Sequence, residues 1–443
     1  MKRNSIVGLF LFFTIFLVYC TKNDQVVTSS STSTNMLNAY KTSTAPVIDG
    51  TIDAVWANAT KLAFNPTVPD PGNGLFTGYA GQQYPATIRA MYDDSCIYFL
   101  AEWSDATKSV NVAPWYFDPT SKRWAQEPSS KSLDVNGNLI REGFGEDKFA
   151  MLFNIDNSCQ KFLTQTCYGS CHVFTPYMDY SVSPAVQKSN ANNGNHYTNA
   201  QFEKIDMWWG RLGYMSKDAS LHYLDDNYQD YAGGPAVTNL TGGSANGRHV
   251  DGIYIDSATT YKWPNGPHYN ASPAQGEVSN KQTLKLDGTG TAVSVPMWIY
   301  AGEANTGFVL TSDTLAGGRA VKITAVSSTG VLTLSDGSTI DPNATTDYQR
   351  PSDGVYGIES KTLPAYFAQP LLGGRADITS TAVYTGSGWV IEFKRKLKTA
   401  DNLKQDIDFT MNNYQDQPFG VAIWDKSNYQ HGINPNLVLH FAK

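Results

Sequence analysis

Short apolar runs that alternate with polar residues most limit how this chain can fold. They recur between clusters of Gly, Asn, Asp and Pro, and few segments show the spacing of an amphipathic helix. Thr, Val, Tyr, Phe and Trp dominate them. The pattern predicts an all-β fold with long loops, an antiparallel β-sandwich of immunoglobulin-like layout or a barrel. The clearest runs are Thr87–Met91, Ile97–Trp103, Phe149–Ile155, Ala320–Ala325, Val331–Leu334, Trp389–Phe393 and Leu437–Phe441.

Composition limits the classes of function. The chain has 443 residues, of which 41% are hydrophobic, so it can bury one large core or two. It carries 33 basic and 40 acidic residues and no long basic run, which gives no support to nucleic-acid binding. No P-loop, H-E-x-x-H motif or nucleophile and base pairing stands out, so hydrolysis and phosphoryl transfer are unsupported.

The first 38 residues have the pattern of an export signal and a tether. Lys2 and Arg3 precede the apolar run Ile6–Tyr19, which is shorter than a membrane span and typical of a signal peptide. Cys20 ends a stretch similar to a bacterial lipoprotein cleavage box, which predicts lipidation of Cys20; ordinary cleavage a few residues later is the alternative. Residues 21–38 are rich in Ser and Thr and predict a flexible tether.

The clearest chemical motif is a pair of cysteines followed by a histidine. Cys167, Cys171 and His172 form C-x-x-x-C-H, one residue longer than the usual c-type haem attachment motif. Two thiols on one loop can form thioethers to the haem vinyl groups, and the adjacent imidazole can bind the iron. The alternatives are a disulfide between the two cysteines, or two unrelated thiols beside a chance histidine.

Two further cysteines follow the signal segment. Export places the chain where disulfides persist, so Cys96 and Cys159 are predicted to form a disulfide if Cys167 and Cys171 hold haem. The alternative is a pair of disulfides and no cofactor.

Five segments carry a resemblance to a known family. They are Ala45–Trp56, with an I-D-G-x-x-D-x-x-W start, Ile88–Phe99, with a Y-D-D turn, Glu102–Asp105, Gly388–Thr399 and Phe419–Asp425. These segments resemble the ethylbenzene dehydrogenase haem-binding domain family, whose sandwich is related to family 9 carbohydrate-binding modules. The resemblance implies one haem-binding β-sandwich domain over residues 39–443.

The same resemblance implies further haem contacts. The family carries a segment close to D-x-W-H-W-K after its cysteine motif, where this chain has D-M-W-W-G-R, without the histidine and lysine. Trp208 and Trp209 are predicted to flank the ring, with packing in the protein core as the alternative. Independently of the resemblance, Met178 is the first choice of distal iron ligand, because it lies six residues after His172 and His/Met ligation raises the potential of a c-type haem. Other candidates are a lysine and Met207, Met215, Met297, His196, His222, His249 and His268.

A change of composition marks residues 224–343, which are rich in Gly, Ser, Thr and Asn. They predict an elaborated loop or a small β-rich insertion on the sandwich. Asp225, Asp226 and Asp230 at its start offer oxygen ligands for calcium, or form a solvated acidic loop.

The sequence therefore predicts an exported c-type cytochrome and not an enzyme in its own right. It would be a periplasmic or cell-surface bacterial lipoprotein. The resemblance implies a redox protein as partner, such as a molybdenum oxidoreductase or another cytochrome. The basic run Lys394–Lys396 is expected to face haem propionates, a partner or solvent. One rival is a carbohydrate-binding module without haem, in which Trp208, Trp209, Trp263 and Trp298 stack on sugars. Another is a haem sensor or storage protein.

Overall fold

The computed structural model describes most of the chain from residue 35 onward, and those residues belong to one unit, Asn35–Lys443. The described residues are 35–69, 76, 78–129, 132–133, 139–141, 143–159, 162, 177–179, 186–188, 198, 203–215, 224–229, 248–250, 254–255, 261–262, 276–351, 359–371, 373–400, 404–428 and 430–442.

Strands dominate the described residues, and they confirm the predicted all-β class. Among the described residues, the helical structure is one α-turn, Leu212–Met215, and 3₁₀ turns at Ala54–Asn58, Ile155–Asn157, Thr311–Thr314 and Gly373–Ala376. Within this part of the chain, no helix is long and apolar enough to cross a membrane. The strands are β1 Met36–Lys41, β2 Leu62–Phe64, β3 Ala86–Tyr92, β4 Cys96–Ser104, β5 Trp115–Asp118, β6 Arg123–Gln126, β7 Ser132–Leu133, β8 Leu139–Arg141, β9 Glu146–Asn154, β10 Tyr177–Asp179, β11 Val186–Lys188, β12 Ile205–Arg211, β13 Leu224–Gln229, β14 Arg248–Val250, β15 Tyr254–Ile255, β16 Tyr261–Lys262, β17 Gly276–Ser279, β18 Gln282–Lys285, β19 Ala292–Val295, β20 Trp298–Tyr300, β21 Phe308–Leu310, β22 Ala320–Val326, β23 Leu332–Leu334, β24 Thr339–Ile340, β25 Tyr366–Gln369, β26 Thr379–Tyr384, β27 Gly388–Lys396, β28 Gln417–Ser427 and β29 Gly432–Ala442.

Twelve of these strands form one large sheet. Its order is β14-β13-β12-β9-β28-β29-β1-β3-β4-β27-β26, and β2 pairs with β3. The pairings are antiparallel, except that β1 runs parallel to both β29 and β3. The two ends of the sheet approach each other: Leu224 N of β13 donates to Ser380 Oγ of β26, 3.0 Å away. Arg375, just before β26, binds both carboxylate oxygens of Asp225.

The sheet folds over, so that its two halves face each other as a sandwich. Because side chains alternate along a strand, every second residue points into the space between the halves. Phe99 of β4 lies 5.9 Å, ring to ring, from Trp208 of β12, and Phe393 of β27 lies 5.7 Å from Phe149 of β9. The interior is thus an aromatic and aliphatic core shared by both halves.

A buried ionic cluster lies at one end of this interior. Arg395 of β27 is 1% exposed, and its guanidinium lies 2.6 Å from Asp206 of β12 and 3.6 Å from Asp226 of β13. Asp206 also accepts the backbone N–H of Ile407 at 2.8 Å. Burial raises the pKa of Asp206 to about 6, an effect that the nearby positive charge of Arg395 opposes. Arg395 therefore joins the two halves of the sandwich through charge.

The N-terminal motif covers the outer face of one half. Gly50 adopts φ of +84° in the Asp49–Gly50 turn, a conformation that glycine tolerates best. Its N–H and the indole N–H of Trp56 each donate to Glu392 of β27 at 2.8 Å. Trp56 is buried with Tyr98 and other residues of β3, β4 and β27. This turn therefore places Trp56 on the outer face of this half.

A second group of strands packs outside the large sheet. β17, β21 and β25 form one small sheet, β20 and β22–β24 form another, and the hairpins β5–β6 and β18–β19 stand beside them. The second small sheet and the two hairpins share a core that includes Trp115, Phe117 and Ile323, whereas Phe308 of β21 and Ala368 of β25 belong to the main core. This group does not begin where the composition changes, at residue 224, because β13 belongs to the large sheet.

The ionic cluster predicts a large effect of one substitution. Arg395→Met leaves Asp206 and Asp226 buried without their cation, and it should lower the free energy of unfolding by about 3–5 kcal/mol. Arg319 is the matched control: its side chain is 63% exposed beside Glu303. Arg319→Met should cost less than about 1 kcal/mol. Urea denaturation measures both; equal, small losses would contradict the role given to Arg395.

Candidate functional site

The outer face of β12, β9 and β28 forms an apolar platform. The register places Trp209, Ala150 and Ala422 side by side across the three strands. Met207, Leu152 and Gly420 form the next row. We call this surface the outer platform. Small residues lie at its centre, and they are buried: Ala150 is 2% exposed and Ala422 is 3% exposed.

Two half-buried tryptophans border the outer platform. Trp209 of β12 and Trp424 of β28 both pack against its apolar cluster. The Trp209 ring has the Arg211 guanidinium 5.2 Å from its centroid. His431 stacks on Trp424, with ring centroids 4.3 Å apart and an interplanar angle of 24°. Aromatic faces on both sides suit a planar, largely apolar ligand.

Basic residues lie along one edge of the platform. Arg211 and Trp424 flank Lys148 across the strands. Lys148 is 2% exposed, and its ammonium donates to Ser427 O at 3.1 Å. Arg211 lies 3.1 Å from the buried carboxylate of Glu146. This edge is charged, in contrast to the apolar centre.

The segment between β9 and β12 begins and ends at the end of the platform that lies away from Lys148 and Arg211. Asn154 holds Cys159 by two hydrogen bonds, of 2.8 and 3.0 Å. The hydroxyl of Ser158 both donates to and accepts from the backbone of Lys204, at 3.2 and 2.9 Å. Cys159 and Phe162 pack on the platform itself. The two ends of the segment that carries the Cys-His motif are therefore fixed beside the platform.

Several predicted site residues lie outside the described residues. These are the motif residues Cys167, Cys171 and His172, and the predicted lipidation site Cys20. The backbone of Met178 lies in β10, which pairs with β11. Their predicted roles stay predictions.

The tryptophan pair divides between the two faces of β12. Trp208 is fully buried in the interior, with its ring 4.8 Å from Phe153 and 4.9 Å from the Arg395 guanidinium. The prediction that Trp208 flanks a haem or stacks on a sugar is therefore wrong, and core packing is correct. Trp209 points the other way, onto the outer platform. Trp298 belongs to β20 of a different sheet, so it does not extend a row with Trp209.

The predicted Cys96 to Cys159 disulfide is not formed. Cys96 packs beside Tyr98 on the outer face of β4, and Cys159 packs on the outer platform. These outer faces belong to opposite halves of the sandwich. The whole core separates the two sulfurs, which a disulfide cannot span.

Two charge-based expectations are also wrong. Asp225 is bound by Arg375 and Asp226 lies near Arg395, on opposite faces of β13, so they do not converge on a calcium ion. Asp230 is outside the described residues. Within the basic run, Arg395 faces neither solvent nor a cofactor, because it is buried in the core.

The sequence analysis did not predict most residues of the outer platform, although the alternation of residues along β9 indicates them. In β9, Lys148, Ala150 and Leu152 alternate with buried Phe149, Met151 and Phe153. That period of two assigns the first set to the outer face. His431 and its partner Trp424 come together only through the turn between β28 and β29, which no local pattern indicates.

Fold and platform together define an all-β sandwich with an apolar, aromatic-sided surface beside a cysteine-rich segment. A family model described as ethylbenzene dehydrogenase matches residues 53–434, and the chain belongs to that family. No curated protein matches the chain at a significant level.

Two solved structures show a distant likeness. One is a family 9 carbohydrate-binding module from Caldicellulosiruptor kristjanssonii in complex with cellotriose, 9% identical, covering 91% of this chain and 83% of that chain, with a TM-score of 0.25. The other is a family 9 module from the same organism in complex with glucose, 14% identical, covering 39% and 75%, with a TM-score of 0.14.

The opposite orientations of the tryptophans give a testable contrast. Trp208→Ala opens a cavity in the core and should cost about 3–5 kcal/mol of unfolding free energy. Trp209→Ala removes a half-buried ring from the surface and should cost clearly less. Chemical denaturation followed by circular dichroism measures both variants. A loss from Trp209→Ala as large as that from Trp208→Ala would refute the assignment of faces.

Proposed function

We propose that this chain is an exported electron carrier that holds a covalently attached c-type haem. Cys167 and Cys171 would form the thioethers, and His172 would be the proximal iron ligand. The bound haem would supply an iron that gains and loses one electron. The protein's part is to bury, orient and ligate it. In this proposal the chain is not an enzyme by itself.

The observation that carries the proposal is the outer platform, beside which the segment between β9 and β12 begins and ends. Ala150, Ala422 and Gly420 are small residues at its centre, and Trp209 and Trp424 border it. In this proposal a planar macrocycle tethered by the segment between β9 and β12 would lie on this face. The face involves described residues on three adjacent strands, independent of the motif itself.

Electrostatics on the same face supports one orientation of the cofactor. Arg211 lies along one edge, and we place the haem propionates there, where they would share its guanidinium with Glu146. Met207 lies on the platform, and its sulfur accepts a hydrogen bond from Gln229 at 3.4 Å. Because the sulfur of Met207 already accepts this hydrogen bond, we keep Met178 as the distal iron ligand in this proposal.

The remaining parts of the proposal concern where the protein works and with what. Lipidation at Cys20 and the tether of residues 21–38 would hold the domain at a bacterial membrane surface, in the periplasm or outside the cell. The partner would be another redox protein, such as a molybdenum oxidoreductase or a cytochrome. A short-range electron exchange with that partner is the function proposed for the bound haem.

Covalent attachment is tested by a haem stain on a denaturing gel, with a pyridine haemochrome spectrum. The protein is expressed in a host that matures c-type cytochromes. The wild-type band should stay stained, and Cys167→Ser combined with Cys171→Ser should abolish the stain. Cys96→Ser, on the other half of the sandwich, is the matched control and should keep it.

The proximal ligand is tested in the same material. His172→Ala should keep the stained band, since the thioethers remain, but should change the visible spectrum of the folded protein. A colourless wild-type protein that also fails to bind added haem would overturn the proposal. The carbohydrate-binding alternative would then stand first.

A further inference from the structure

Three carboxylates meet at the end of the interior opposite to Arg395. Asp105 follows β4, Asp147 lies in β9 and Asp425 lies in β28. One oxygen of each lies within 4.8 Å of the others. Asp105 is 7% exposed and Asp147 is fully buried, whereas Asp425 is half-buried. The group draws on both halves of the sandwich, because β4 belongs to one half and β9 and β28 to the other.

Backbone and indole donors fix one member of the group. Asp147 Oδ1 accepts the N–H of Lys426 at 2.9 Å. Its Oδ2 accepts the N–H of Ser109 at 2.8 Å and the indole N–H of Trp389 at 3.0 Å. These hydrogen bonds orient the carboxylate. Oδ1 accepts one of the three, so it has a second lone pair that can bind a cation.

Asp105 carries a buried oxygen with no partner. Its Oδ1 accepts the N–H of Thr107 at 2.9 Å. Its Oδ2 is buried and accepts no hydrogen bond. A buried carboxylate oxygen without a donor is costly. Asp105 therefore has a buried acceptor without a donor. This observation is separate from the closeness of the three carboxylates, and it also favours a bound cation at this place.

The charge of this group contrasts with that of the Arg395 cluster. Three aspartates surround Arg395 at that end, so a side chain supplies the cation. Among the described residues, Asp105, Asp147 and Asp425 form no salt bridge with a basic side chain. Three carboxylate oxygens this close together repel one another when they are ionised. A bound cation would relieve this repulsion.

We propose that Asp105, Asp147 and Asp425 bind one calcium ion, which joins β4 to β9 and β28. Calcium takes oxygen ligands at about 2.3–2.6 Å, so its ligand oxygens lie within about 5 Å of one another, as these do. The half-buried Asp425 leaves access for waters that complete the coordination. This site is independent of the haem proposal, since none of its residues lies on the outer platform.

The test uses the full chain after treatment with a chelator. Calcium chloride should raise the melting temperature by about 2–4 °C at saturation, and an equal concentration of magnesium chloride should raise it less. Asp425→Asn should abolish the calcium effect. Asp94→Asn removes a carboxylate whose side chain is 87% exposed, and it should leave the effect unchanged.

A second readout covers the case in which Asp425→Asn does not fold. Terbium bound at the site should emit when tryptophan is excited, because the Trp389 indole contacts Asp147. Calcium should displace this emission in the wild-type protein. Absence of both the thermal shift and the calcium-displaceable emission would overturn the proposal, as would a folded Asp425→Asn variant that keeps both.

Discussion

The buried contact between Arg395 and the aspartates around it is the interaction on which the sandwich depends. Arg395 reaches from β27 to Asp206 on β12 and Asp226 on β13, strands of the opposite half. It also donates to the backbone carbonyl of Ile407 and lies over the Trp208 ring. Hydrophobic contacts alone would allow the layers to slide. A desolvated charge with fixed hydrogen-bond partners permits one register.

Alternation along the strands separates the structural from the functional surface. Inward residues of β9 and β12, such as Phe153 and Trp208, build the core. Outward residues of the same strands, such as Ala150 and Trp209, build the outer platform. On the opposite half, Trp56 covers the equivalent outward face. One outward face is thus covered by the chain's own N-terminal motif, and Cys159 and Phe162 pack on the other.

Local patterns predicted the strands well and the partners across the sandwich poorly. The run Trp389–Phe393 lies within β27 as expected, because period-two alternation is a local property. In the sequence, Arg395 belongs to a basic run that looks exposed. Its burial is explained by aspartates that only the fold brings close, among them Asp206, almost two hundred positions away. The same limit explains the wrong Cys96 to Cys159 pairing and the missed stack of His431 on Trp424.

The most direct test of the account is hydrogen exchange of the haem-loaded protein against the Cys167→Ser, Cys171→Ser variant. If the outer platform holds the cofactor, backbone amides of β9, β12 and β28 should exchange more slowly in the loaded protein. Those of β3, β4 and β27, on the opposite half, should not change. Slower exchange confined to β3, β4 and β27, or no difference anywhere, would contradict it.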